Sequence, residues 1–243
     1  LHVCAYLTRF LLGENRAMTN PTPQGTEIRT YKLRRSRLSA LQSIAISEYG
    51  LQYMYPEGPG IIDLSSELGL ENFVIEIGFG MGEATWQYAD AQPDVAVLAI
   101  DLHTPGVGKL IDELQTHNLD NVRIIEGDAL EIIRMRIAPS SVDGIRLFFP
   151  DPWPKTRHHK RRFVNESNLS LLAQVVKPGS FFHFATDWQD YADWTLEELT
   201  KHPDWELVDK PADGTWSGRP TTRFESKGKK LGRDITDLIA FRK

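Results

Sequence analysis

The sequence predicts an α/β fold in which a mostly parallel sheet carries helices on both faces. Three observations carry that prediction. Apolar runs of four to six residues alternate with amphipathic stretches along most of the chain. Runs with so little polar alternation suit strands buried on both faces. The first run passes straight into a glycine-rich turn, Gly78-Phe79-Gly80-Met81-Gly82. Several runs also end in an acid, and in open sheets of this kind ligands bind beyond the carboxyl ends of the strands.

The elements follow in order. Residues 38–51 read as a helix that follows a basic stretch. Strands are expected at 73–77, 95–100, 122–126, 144–149, 181–185, 205–208 and 236–241. The intervening amphipathic stretches give helices at 82–91, 105–118, 129–136, 165–176 and 188–201. In 165–176, Leu169, Leu172, Val175 and Val176 share one face, with Asn165 or Ser167 as the cap. Lys177-Pro178-Gly179 ends that helix and turns the chain into the next strand.

The 243 residues suffice for one large α/β domain with a substantial core. No stretch approaches the roughly 18 consecutive apolar residues of a membrane span. A single cysteine, Cys4, excludes an internal disulfide framework and fits a reducing, cytoplasmic setting. There is no CxxC or HExxH spacing, so no metal site is expected. Residues 1–25 read as a loose arm, given Pro21, Pro23 and Gly25; Arg9 makes the segment a poor signal peptide, and Met18 is as good a start as Leu1.

The net charge is −5, yet the basic groups are unevenly spread. Residues 26–37 carry five basic groups and one acid, residues 151–162 five and one, and residues 219–233 six and one. An acidic protein can still present a basic face to nucleic acid. Three solvated segments that never meet would give the same count.

The turn after the first strand reads Glu76-Ile77-Gly78-Phe79-Gly80-Met81-Gly82-Glu83. A dinucleotide fingerprint, G-x-G-x-x-G, would need glycine where Glu83 stands. A pyrophosphate also wants a helix N-terminus free of acid, whereas Glu76 and Glu83 bracket this loop. A zwitterionic or cationic ligand suits it better. Asp101 ends the second strand, where its two oxygens can take ribose hydroxyls. Asp128 follows the third, where it can accept from an adenine amino group. Together these acids fit S-adenosyl-L-methionine, with Glu76 near its amino acid part.

The fourth strand ends in Phe148-Phe149-Pro150-Asp151-Pro152-Trp153. Prolines fix the backbone and leave no N–H, so carbonyls and the carboxylate point at a ligand. Trp153 offers a face on which a base could stack, or simply a core indole. His183 reads as a satisfied histidine within a strand, and Trp188, Trp194, Trp205 and Trp216 as packing residues. An exocyclic-amine methyltransferase and a binding module for a nicotinamide cofactor or RNA remain alternatives on these residues alone.

At this point the sequence resembles the bacterial tRNA (guanine-N7)-methyltransferases. EIGFGMG, DLHTPGVG, LFFPDPWPKTRHHKRR, ATDW, TRFESKGKKLG and the basic RTYKLRRSRL of residues 29–38 carry the likeness, from about residue 28 to the end. It implies a Rossmann-like class I methyltransferase fold: a seven-stranded, mostly parallel sheet with an antiparallel last strand. It implies one methyltransferase domain over 26–243, with 26–52 as a basic RNA-contact element. The reaction implied is methyl transfer from S-adenosyl-L-methionine to N7 of the variable-loop guanine, position 46, of tRNA. Glu76, Asp101, Asp128 and Asp151 match the family's cofactor-contacting acids, beside Gly78, Gly80 and Gly82 of the loop. Asp151 is also its proposed catalytic residue. Lys155, Asp187, Thr222, Arg223, Phe224 and Glu225 match its substrate-contacting positions. Arg157, His158, His159, Lys160, Arg161 and Arg162 match its RNA-contact segment, although the adjacent histidines read as surface groups with no chemistry. Asp101 departs from the glutamate of many relatives but keeps two oxygens. No obligate protein partner is implied, and monomer and homodimer both stay open.

Overall fold

A computed structural model describes residues 29–32, 37–56, 58–208, 232 and 234–243. The first helix among the described residues is α1 (Ala40–Tyr53), whose start is fixed by a reciprocal cap: Gln42 N–H donates to Ser39 Oγ, and Ser39 N–H to Gln42 Oε1. The Gln42 amide also donates to the Pro105 carbonyl at 2.9 Å, which docks α1 against a later helix. A short helix, α2 (Leu64–Leu68), leads into strand β1 (Asn72–Ile77). Then come α3 (Glu83–Ala91), β2 (Val95–Asp101), α4 (Thr104–Thr116), β3 (Val122–Glu126), α5 (Ala129–Arg136) and β4 (Val142–Phe148). A 3₁₀ turn spans Thr156–Arg161, followed by α6 (Glu166–Val175), β5 (Val176–Thr186), α7 (Gln189–Lys201), β6 (Trp205–Leu207) and β7 (Thr236–Arg242).

The seven strands lie in the order β3-β2-β1-β4-β5-β7-β6. The first five run parallel, and β7 pairs antiparallel with both β5 and β6. The chain winds outward from β1 to β3, then returns to place β4 beside β1. That reversal falls between β1 and β4, and sheets of this kind bind ligands beyond the carboxyl ends of the strands at such a point.

Alternation along the strands divides the core in two. Phe73, Ile75, Ile77, Leu98 and Ile100 face one cluster with Leu169, Leu172, Phe182, Phe184 and Tyr191. Val74, Val97 and Ala99 face the other, with Ile46, Val107, Leu110 and Ile111. Burial on both faces explains why these strands read as near-continuous apolar runs.

The predicted strands and helices all lie within a few residues of observed ones. The exceptions are α2 and the 3₁₀ turn, which are too short to show a period. Asn165 is the cap of α6, accepting from Asn168 N–H at 3.0 Å. Contrary to expectation, Lys177-Pro178-Gly179 does not end that helix: the helix stops at Val175, and Val176, expected on its apolar face, already opens β5. Val142 pairs with Val176 and Gly144 with Phe181, so the triplet is a bulge inside β5. Among the described residues, no helix is long and apolar enough to cross a membrane.

Candidate active site

Gly78, Gly80 and Gly82 all have left-handed backbones, with φ of 73°, 61° and 81°. Such a run carries the chain from β1 to α3 in a tight arc that side chains rarely permit. Gly80 N–H donates to Asp101 Oδ2 at 2.7 Å, tying the loop to the end of β2. Asp101 Oδ1 accepts from the N–H groups of Leu102 and His103, at 2.6 and 3.1 Å. Three of the carboxylate's roughly four acceptor positions are therefore taken by backbone. That leaves room for about one further donor, not the two hydroxyls that two open oxygens suggest. Burial raises the Asp101 pKa, against the lowering effect of those N–H bonds.

Glu76, expected near a ligand's amino acid part, lies beneath the loop. It is 2% exposed, and its Oε2 lies 2.9 Å from a guanidinium nitrogen of Arg146. The two residues are register partners on β1 and β4, on the same face of the sheet. Arg146 also reaches the Ala84 carbonyl in α3 and lies over the rings of Tyr88 and Phe148. Burial pushes the Glu76 carboxyl up, and Arg146 opposes it. A buried acid needs such a partner. Arg146 was the sequence's missed residue here; a lone cation inside the apolar run GIRLFF was its signal.

Asp128 caps α5, accepting from the N–H groups of Leu130 and Glu131 through Oδ1. The phenol of Tyr31, from the N-terminal basic segment, lies beside the same carboxylate. Burial and the Asp128 charge raise its pKa. So the acids after β1, β2 and β3 stand at one end of the sheet, each already engaged by protein.

After β4 the chain makes a shape the sequence only hinted at. Phe149 and Trp153 both have left-handed backbones, with φ of 51° and 47°, and bracket Pro150-Asp151-Pro152. Phe149 N–H donates to the Ala185 carbonyl of β5. Residues 29–32 cross over this loop. Lys32 N–H donates to Asp151 Oδ2 at 2.8 Å, and its ammonium stands 3.8 Å from Oδ1. Of the two readings of Trp153, the core indole is the one observed. It is 4% exposed, its indole N–H donates to the Thr30 carbonyl, and the cations of Arg161 and Lys32 lie over its ring at 3.9 and 4.8 Å.

The basic run divides by fate. Lys155, Arg157 and Lys160 are exposed on or beside the 3₁₀ turn. Arg161 is half-buried on Trp153 and donates to the Arg29 carbonyl. Arg162, expected among the RNA contacts, is fully buried and faces inward; its guanidinium is spent on protein acceptors and has no route to a phosphate. His158 remains at the surface side of the turn, its pKa lowered by desolvation and by Arg157, Arg161, Lys155 and Lys32. His159 packs edge-on to Trp194. Asp187 follows β5 directly, next to the Asp151 loop because β4 and β5 are neighbours. Thr222, Arg223, Phe224 and Glu225 lie outside the described residues, as do Trp216 and the arm 1–25. His183 pairs with Asp237 at 2.8 Å, and Trp205 is a core residue.

The reversal point, the glycine arc and the acids at successive strand ends define a Rossmann-like class I methyltransferase fold. The solved structure of the 16S rRNA methyltransferase KamB shares that fold, with a TM-score of 0.52 at 17% identity, over 78% of this chain and 97% of that one. A family described as "Putative methyltransferase" matches residues 71–238. A tRNA (guanine-N(7)-)-methyltransferase of Methylobacillus flagellatus is 42% identical over 218 residues, covering 89% of this chain and 92% of its own. One from Streptomyces avermitilis is 43% identical over 216 residues, covering 87% of this chain and 74% of its own. The chain belongs to the tRNA (guanine-N(7)-)-methyltransferase family.

Proposed function

We propose that the protein transfers a methyl group from S-adenosyl-L-methionine to N7 of the variable-loop guanine, position 46, of tRNA, forming 7-methylguanosine. Residues 26–243 would work as one domain, in the cytoplasm where tRNA is found. The observation that carries this reading is the meeting of two features at one sheet end. An acid-lined glycine arc adjoins a proline-stiffened aspartate, and exposed cations follow at once.

The site suits the cofactor on its own geometry. A Cβ at Gly78 would meet no atom within 4 Å, so ligand can approach that backbone. Asp101 retains about one acceptor position for a ribose hydroxyl. Asp128 stands after β3 for the adenine amino group. Glu76 supports the arc from below through its pairing with Arg146. The bound cofactor would supply an electrophilic sulfonium methyl.

Guanine N7 carries a free lone pair and faces the major groove, so its attack needs no prior deprotonation. The protein's task is positioning and charge stabilisation. In this reading Asp151 either balances the positive charge that develops on the ring or accepts from guanine N1–H and the 2-amino group to fix its orientation. In this structure Lys32 N–H takes that acceptor, so substrate entry exchanges one donor for another. Asp187 adds a second carboxylate beside it. Lys155, Arg157 and Lys160 can neutralise phosphates, offsetting the few kcal/mol that unstacking a base costs.

Nucleoside analysis of tRNA incubated with the protein and labelled cofactor tests the reading. Label should appear in 7-methylguanosine from the variable loop. Label in a methylated exocyclic amine, or in no nucleoside, would overturn it.

A further inference from the structure

Among the described residues of the basic run, Arg162 stands apart because no solvent reaches it. Its Nε donates to the Pro152 carbonyl at 3.1 Å. Its Nη1 donates to the main-chain carbonyl of Asp190 at 3.4 Å, and Nη2 pairs with the Asp190 carboxylate. The flat faces of the guanidinium lie near the rings of Tyr191 and Trp194, at 5.0 and 5.2 Å. We infer that Arg162 is a positioning residue for methyl transfer: it fastens the Asp151 loop to the helix that follows Asp187, and it does not hold RNA. This rests on the methyltransferase reading above.

The loop needs an outside fastening. Pro150 and Pro152 have no N–H, so the loop has few donors with which to bind itself down. Its carbonyls are the available handles, and the Pro152 carbonyl lies directly between Asp151 and Trp153. A guanidinium suits the task because its rigid fork spreads five donors in one plane. One edge meets the loop after β4. The other meets the first turn of α7, three residues past Asp187.

Arg162 is itself held firmly. Its N–H donates to the His159 carbonyl at 2.8 Å, and its own carbonyl accepts from the Asn165 side chain at 3.1 Å. The flanking rings are tied to the next residue but one. Tyr191 Oη accepts from Val164 N–H, and Trp194 Nε1 donates to the Val164 carbonyl. The two strand-end carboxylates thus share one buried bracket. A lysine would keep the charge but lose the fork.

The test compares Arg162→Lys, Asp190→Asn and Arg161→Ala in the full chain. Each variant is first checked for folding by its melting curve. Arg162→Lys should lower kcat about 10- to 100-fold, as expected when a reacting group is misplaced by a fraction of an ångström to 1 Å. Its KM for tRNA and the salt dependence of tRNA binding should match wild type. Amide exchange at Asp151 and Trp153 should quicken by roughly tenfold or more, as a local opening becomes easier. Asp190→Asn should move the same readouts less. Its side chain is 60% exposed, so it carries the test if Arg162→Lys does not fold. Arg161→Ala should raise KM and lower the salt slope by about one. A reduced salt slope in Arg162→Lys would make Arg162 an RNA contact. Folded variants with wild-type kcat and exchange would reduce the bracket to packing. If the wild type formed no 7-methylguanosine, the functional reading would fall while amide exchange still decided the bracket.

Discussion

The ends of β1 to β3 and the ends of β4 and β5 are built in opposite ways. In the first half, backbone N–H groups hold Asp101 and Asp128. Asp101 is engaged by Leu102, His103 and the adjoining glycine arc, and Asp128 by Leu130 and Glu131. In the second half, the partners come from far along the chain. Asp151 accepts from Lys32, 119 residues away; Trp153 donates to Thr30, 123 away; Arg161 to Arg29, 132 away. The first half is set mainly by the sheet and its turns, and the N-terminal segment adds only Tyr31 beside Asp128. The second is complete only when an N-terminal segment crosses it. A half held by backbone and a half assembled from distant residues therefore share one end of the sheet; in the proposed reading they take the cofactor and the substrate.

The sharpest way to break this division is Asp151→Asn. The loss of a charge-stabilising group should lower kcat by about 10²- to 10³-fold, while cofactor affinity changes by far less. Rapid-quench methyl transfer and equilibrium dialysis measure the two. Near-normal turnover would remove the essential carboxylate from the second half. A parallel collapse of cofactor affinity would make Asp151 common to both.

Gly106→Ala should strike only the first half. A Cβ at Gly106 would lie 1.8 Å from the Gly80 carbonyl oxygen, so the glycine arc must shift. Overpacking of this kind costs about 1–3 kcal/mol, which corresponds to cofactor affinity weakened roughly 5- to 150-fold. Binding of tRNA, followed by filter retention, should stay near wild type. Unchanged cofactor affinity would show that the arc is not the cofactor's cradle.

Acid should produce the smallest effect, again confined to the first half. Burial raises the Asp101 pKa above the ordinary value of 3.8. On acidification it therefore protonates before an exposed aspartate does, and cofactor affinity should begin to fall at a higher pH than that value implies. The stability term runs the other way. A raised folded pKa means that this group destabilises the fold above it, and that the cost is relieved as pH falls. Cofactor affinity measured from about pH 7 down to about pH 4 should show the decline, and Asp101→Asn should flatten it.

The same division explains what could be read from sequence. The glycine arc, Asp101 and Asp128 depend on spacings of a few residues after an apolar run, so the sequence displays them. The strand periods were legible because burial on both faces leaves long apolar runs. The fate of LFFPDPWPKTRHHKRR was not. Arg161 and Arg162 are adjacent and chemically identical, yet one lies on Trp153 and the other is buried against Asp190. Only the tertiary placement of residues 29–32 and of α7 separates them. Arg146 was hidden for a similar reason, since its need for Glu76 appears only once β1 and β4 are side by side.

Phe149 and Trp153 have one further consequence, for thermal adaptation and engineering. Bulky residues in left-handed conformations each cost on the order of 1–3 kcal/mol. Glycine at position 149 would release part of that cost and let the backbone relax. A screen for heat resistance should therefore find stabilising substitutions at this loop, and those variants should be slow enzymes. The fold keeps local backbone strain at a loop that other contacts hold in place. Selection for heat tolerance and selection for turnover would pull this short loop in opposite directions.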